Sequence, residues 1–244
     1  MEARTSDVSL EQRENKPIRC TLLLENEMLQ TRKQEIEALV QDLNVDVRTY
    51  EDDLADDEYD VIGLLEPKRS TELEKWLRQK ESLKISFVSS VGRIQASRLK
   101  NIDAAVICKG ESDKSISALK VIHSFFDSLL VPSLFNIDLA DVRSMAKGIG
   151  ISFTESGISS HEILERLPRE CYVAKSALLH YSCTKDVTLN EIYEITKAIS
   201  IKRPEGGRRE NGRPPNVKMG LRVVDGLEFQ ENKRIRLIAI LFGV

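Results

Sequence analysis

The first 110 residues hold five apolar runs of strand length: IRCTLLL (18–24), VDVRTY (45–50), YDVIGLLEP (59–67), LKISFVSSV (83–91) and IDAAVICKG (102–110). Most are apolar at consecutive positions, so both faces of each strand must be covered. That is the pattern of a parallel sheet between helix layers rather than of a half-solvated antiparallel one. The stretches between them supply the layers. Residues 31–43, TRKQEIEALVQDL, put Ile36, Leu39, Val40 and Leu43 on one helical face. RSTELEKWLRQKE predicts a helix with Thr71 and Glu74 as a capping box and Leu73, Trp76 and Leu77 as its buried stripe. The intervening EDDLADDEYD (51–60) carries seven carboxylates and fits a solvated, self-repelling loop. It lacks the glycine-centred spacing of a calcium loop.

These elements predict a reduced Rossmann-like α/β domain over 16–111, preceded by a disordered polar tail at 1–15. A central helix is expected over 112–131. Ile116, Leu119, Ile122, Phe126 and Leu129 recur at helical spacing, with Val121, Phe125 and Leu130 on a second side, so it should be buried along much of its length between two domains. His123 lies inside this pattern as a core or interface histidine.

Residues 132–141 follow as a loop, PSLFNIDLAD, with Asn136, Asp138 and Asp141 packed into six residues. After it the composition changes to a smaller α+β domain over 142–244. IGISFTESG predicts a strand, 158–170 a helix that Pro168 should end or kink, and AKSALLHYS a strand. DVTLNEIYEITKAIS predicts a helix capped by Thr188 and Glu191, and the last 29 residues two strands joined by a turn. IKRPEGGRRENGRPP (201–215) interrupts this half as a Gly/Pro/Arg loop.

Composition narrows the function classes. Charged residues make up 31% and the net charge is −3, which argues against a nucleic-acid binder driven by bulk charge. No apolar stretch approaches the roughly 18–20 residues a bilayer span requires, and the polar start carries no signal core. A cytoplasmic protein is expected. Cys20, Cys108, Cys171 and Cys183 lie far apart without a CxxC pair, and His123, His161 and His180 are scattered, so buried thiols are expected and no metal site.

Read in order, three blocks of the second half resemble the FtsZ/tubulin family. PSLFNIDLADVR is similar to that family's P-G-L-I-N-x-D-F-A-D-V-[KR] loop, with Ser133 in place of the usual glycine. SALLHYSCTKDVTLNEIYEITKA and the final NVKMGLRVVDGLEFQENKRIRLIAILFGV match its next strand–helix and its last strands. The resemblance implies a two-domain tubulin/FtsZ-like architecture. It also implies a role for the loop, because in this family the loop of one subunit docks end-on against GTP held by the next. Asn136, Asp138 and Asp141 would then orient water or a cation in trans. Read from the residues alone, Asp138 and Asp141 equally fit the acidic first turn of a helix.

The first half departs from the family. A phosphate cradle needs glycine-rich loops at helix N-termini, yet IRCTLLL runs into ENEMLQTRK, and Glu66, Pro67, Lys68, Arg69 and Ser70 follow the third run. The expectation is a pseudo-GTPase with no cofactor, not an enzyme on its own. It would modulate or cap an FtsZ-type filament in a cytoskeletal or cell-division assembly, or self-associate without nucleotide. Two alternatives stay open. One is a nucleotide-binding GTPase with a rearranged site using Asp138 and Asp141 as magnesium ligands. The other is a phosphate- or acidic-partner-binding module using Lys202, Arg203, Arg208, Arg209, Arg213 and Lys218 of the loop at 201–218.

Overall fold

Leu22, Leu23 and Leu24 follow one another in a strand and are all buried, yet they serve two cores. Leu22 and Leu24 face the central helix on one side of the sheet. Leu23 joins Trp76 and Leu77 on the other. Successive strand side chains point to opposite faces, so an unbroken apolar run marks a strand covered on both. The computed structural model describes residues 17–24, 26–49, 57–68, 70–90, 100–109, 114–201, 215–224 and 232–244. The expected tail, most of the acidic run and the loop carrying Lys202, Arg203, Arg208, Arg209 and Arg213 lie outside the described residues.

The described strands are β1 Cys20–Leu24, β2 Val45–Thr49, β3 Val61–Leu65, β4 Leu83–Val88, β5 Ala104–Cys108, β6 Gly148–Gly157, β7 Ser176–Cys183, β8 Asn216–Val223 and β9 Ile235–Phe242. The described helices are α1 Asn26–Thr31, α2 Lys33–Gln41, α3 Thr71–Gln79, α4 Lys114–Leu130, α5 Leu139–Met145, α6 Ser160–Arg166 and α7 Leu189–Ile201, with a 3-10 turn at Arg169–Tyr172. All nine strands form one mixed sheet in the order β2-β1-β3-β4-β5-β6-β9-β7-β8. The strands of the first half are mutually parallel, as predicted.

The two halves meet by strand pairing. β6 lies parallel to β5, from Ala104↔Gly148 to Cys108↔Ser152. The last two strands do not pair with each other, contrary to the expected turn-linked pair. β7 stands between them, antiparallel to β9 and parallel to β8. The reason is the β7–α7–β8 crossover, which returns β8 in the direction of β7.

Helix α4 lies across both halves on one face. Ala118, Val121, Ile122, Phe125 and Phe126 are buried in a core that takes Phe87 and Val106 from the first half and Leu178, Ile238, Ile240 and Phe242 from the second. The alternate residues of β9, Leu237, Ala239 and Leu241, join a separate core under α6 and α7. Gly63 lets the helix approach. A Cβ there would stand 3.2 Å from both Leu22 and the Phe126 ring.

Local signals held with small shifts. Thr188 and Glu191 form the predicted reciprocal box: Thr188 N donates to the Glu191 carboxylate at 3.0 Å and Glu191 N to Thr188 Oγ1 at 3.3 Å. The cap of α3 is Ser70 rather than the predicted Thr71. Ser70 Oγ accepts from Leu73 N while its own backbone stays extended, and Thr71 is already helical. Pro168 ends the α6 segment and opens the 3-10 turn.

Candidate docking loop and the crevice at β1 and β3

In an open α/β sheet, ligands bind beyond the carboxyl ends of the strands where the strand order reverses. Here that point lies between β1 and β3. A single residue separates β1 from α1, which begins at Asn26 and carries Glu27 in its first turn. After β3 the chain turns through Glu66, whose φ of 46° lies in the left-handed region that glycine usually fills. Glu66 is buried, its N–H donates to Phe87 O at 2.9 Å, and its Oε1 accepts from Ser89 N at 2.5 Å. The carboxylate therefore takes up the first backbone N–H after β4, one strand beyond the crevice, so that this N–H is not available to an anion.

The loop between α4 and α5 is built differently. Asn136 Oδ1 accepts from Ser133 N at 2.9 Å and from Ser133 Oγ at 2.7 Å. Asp138 is the N-cap of α5, its Oδ1 accepting from Asp141 N at 2.6 Å. Asp141 Oδ1 pairs with Lys218 Nζ at 2.6 Å, which raises the Lys218 ammonium above its usual range. Lys218 thus belongs to β8 and to this loop rather than to the basic segment with which the sequence grouped it. Ile137 is buried as an anchor, while Leu134 and Phe135 are exposed. The backbone is clipped to β8, with Leu134 N donating to Leu221 O and Leu221 N to Phe135 O, both at 3.1 Å.

Both sequence readings of the acidic pattern meet here. Asp138 and Asp141 do form the first turn of a helix. Each of the three side chains spends one oxygen on holding the loop, and Asn136 Nδ2 and Asp138 Oδ2 make no hydrogen bond among the described residues. Both residues are exposed, so a fixed amide and a fixed carboxylate oxygen are offered outward.

The loop and the crevice are far apart. β8 stands six inter-strand spacings from β3 in the sheet order, roughly 29 Å at about 4.8 Å each. The loop cannot act on a ligand held at the crevice of its own chain.

A third cluster escaped the sequence reading. Asp127, the one carboxylate in VIHSFFDSLL, is 2% exposed on the buried side of α4. Its Oδ2 lies 3.1 Å from His180 Nε2 on β7 and its Oδ1 2.9 Å from Arg222 Nη1 on β8. Burial alone would raise the Asp127 carboxyl. The His180 N–H and the Arg222 guanidinium outweigh that and hold it below the usual carboxylate range. His123, one turn earlier, is pushed below the usual imidazole range by burial, which outweighs the opposing charge of Asp127, with Arg222, His180 and Arg236 adding to the shift. A lone acid in an apolar helical run was the available signal, but its partners lie in distant segments. Among the described residues no group of three or more His, Cys, Asp or Glu side chains is placed to hold a metal ion. No described helix is long and apolar enough to cross a membrane.

No protein-family model and no curated protein sequence matches the chain. Solved structures do match. The empty FtsZ dimer from M. jannaschii superposes at a TM-score of 0.56 and 15% identity, over 89% of this chain and 68% of that one. A single-residue mutant of M. jannaschii FtsZ superposes at 0.60 and 14% identity, over 93% of this chain and 92% of that one. The chain has an FtsZ/tubulin-like fold, as the three sequence blocks implied.

Proposed function

We propose that this chain is an FtsZ-like assembly protein without a working GTP site, which docks its 133–138 loop onto the nucleotide-bearing face of an FtsZ-type subunit. It thereby caps or modulates that filament in a cytoskeletal or cell-division assembly. The observation that carries the reading is Glu66, a buried carboxylate at the carboxyl end of β3, which flanks the crevice, bonded to Ser89 N just after β4. A carboxylate and a phosphate oxygen about 4 Å apart repel by about 4 kcal/mol at an effective dielectric of about 20, on the order of a thousandfold in affinity. The loop supports the other half of the reading, since its outward amide and carboxylate atoms are held by their partner oxygens within the same side chains. Across an interface such groups orient a water or a cation at the terminal phosphate of a partner's nucleotide.

The test has two arms. Calorimetric titration with GTP and magnesium should show no saturable binding at micromolar concentration, and copurified guanine nucleotide would overturn the pseudo-GTPase reading. Co-sedimentation with an active FtsZ-type polymer, with and without GTP, tests docking. Substoichiometric protein should change polymer length or GTP turnover, and wild-type protein that changes neither would end the capping reading.

A further inference from the structure

The backbone of the loop is bonded to β8 at Leu221, whose N–H and C=O both pair with it, and Lys218 of β8 adds an ion pair to Asp141. The residues on either side of Leu221 are tied to helix α4. Arg222 reaches Asp127 at 2.9 Å. Gly220 sits where α4, β7 and the loop converge, since a Cβ there would stand 3.5 Å from Ser128 Cβ, His180 Nδ1 and Phe135 O alike. His180 is fixed in turn. With Asp127 Oδ2 3.1 Å from Nε2, that nitrogen carries the proton, and the ring directs a buried Nδ1 without a hydrogen-bond partner toward Gly220. A void of about 10 Å³ beside it is lined by Ser128, Ile137 and His180 among others, so the loop's buried anchor borders the same cluster.

We infer that Asp127, His180 and Arg222 are positioning residues for the 133–138 loop. A carboxylate this deeply buried is tolerated only while both partners stay in place, which leaves β8 one register and one height against α4. β8 then presents Leu221 to the loop at a fixed point, and Asn136 and Asp138 inherit that placement. The consequence for docking rests on the function proposed above, whereas the ordering of the loop does not.

The experiment is amide hydrogen exchange on the full chain, read beside co-sedimentation with an FtsZ-type polymer. Arg222→Met removes the charge while keeping much of the side-chain volume, and Arg222→Lys restores a cation. In Arg222→Met the amides of Leu134 and Leu221 should exchange about tenfold faster or more, with those of Leu22 and Val106 changed less than about twofold. Arg222→Lys and His180→Gln, which each keep a donor toward Asp127, should recover most of the protection, and they decide the matter if Arg222→Met does not fold. Equal acceleration in both halves of the sheet, or a lysine variant as loose as the methionine one, would overturn the inference. Co-sedimentation should fall in step with loop protection. If the exchange result holds but wild-type protein never co-sediments, the docking function fails and the positioning role stands. If docking persists unchanged in a variant whose loop has loosened, positioning does not serve docking.

Discussion

On the function proposed above, the crevice at β1 and β3 and the loop at 133–138 are the two ends at which a subunit would meet its neighbours, and they are built differently. At the crevice, function depends on bare backbone: phosphates must come close to N–H groups, and any side chain in the way abolishes the site. Glu66 at φ 46° and the start of α1 one residue after β1 place a buried side chain and a turn without glycine at the two edges of the crevice. The loop depends on side-chain oxygens that hold its own backbone, through Asn136 to Ser133 and Asp138 to Asp141, and on Asp141 paired with Lys218 of β8. Replacing the usual glycine with Ser133 even added a contact, since Ser133 Oγ donates to Asn136 Oδ1 and lies 2.7 Å from Phe135 O as well. A site made of bare backbone is sensitive to any added side chain, whereas one made of self-bonded side chains accommodates a change such as Ser133.

The contrast can be tested by changing each end separately. Asp127→Ala has the largest expected effect. It removes the acceptor of the buried His180 and the partner of the part-exposed Arg222, and should cost about 1–3 kcal/mol in urea unfolding, with exchange rising first around Leu134 and Leu221. A loss under about 1 kcal/mol would mean the cluster is effectively solvated and the two ends are not anchored differently. Asp138→Ala comes next. Loss of the N-cap should cost about 1 kcal/mol, and partner GTP turnover should fall more than co-sedimentation does, because truncation removes the orienting group and leaves most of the docking surface. Equal behaviour of mutant and wild type would reduce the loop to a helix start.

Glu66→Gly probes the other end. Relief of the left-handed backbone, about 1 kcal/mol, offsets part of the charge-assisted bond to Ser89, about 1.5–3 kcal/mol, so a net loss near 1 kcal/mol is expected. Nucleotide should still fail to bind, because α1 supplies no glycine loop. Saturable GTP binding in this variant would show that one carboxylate was the only barrier.

The smallest effect is in pH. His123 in the folded state sits below the ordinary imidazole value of about 6.5, so the unfolded chain takes up the proton first. Stability should be flat above about 6.5 and fall as pH drops through the folded value, with a slope no steeper than about 1.4 kcal/mol per pH unit. Asp127 sits below 3.8, so its contribution is present above that pH and is lost only as pH falls through its folded value. His123→Gln should flatten the upper window and leave the lower one, measured by urea midpoints across a pH series. A profile unchanged by the substitution would remove His123 from the account.

Much of this was legible because it is local. The period of an apolar run, a box such as Thr188 with Glu191, and the break at Pro168 are set by residues a few positions apart. The Asn136, Asp138 and Asp141 pattern was visible for the same reason, and its main error was Lys218, assigned to a neighbouring basic segment when the β8 register brings it to Asp141. Ser70 and Thr71 competed for one cap, and the pattern alone does not separate adjacent hydroxyls.

By itself the sequence determined most of the strands and the longer helices, that most of the parallel strands are covered on both faces, and that the stretches after β1 and β3 carry no glycine, whereas the short α1 went unread. Backbone propensity and side-chain alternation act within one element. Only the tertiary structure decided that β6 joins the two halves into one sheet, that β7 separates β8 from β9, and that Asp127 meets Arg222 from 95 residues away. Apolar burial is non-directional and fits many strand orders. The order is chosen where distant segments satisfy one another's hydrogen bonds and buried charges together, and no stretch of sequence carries that information alone.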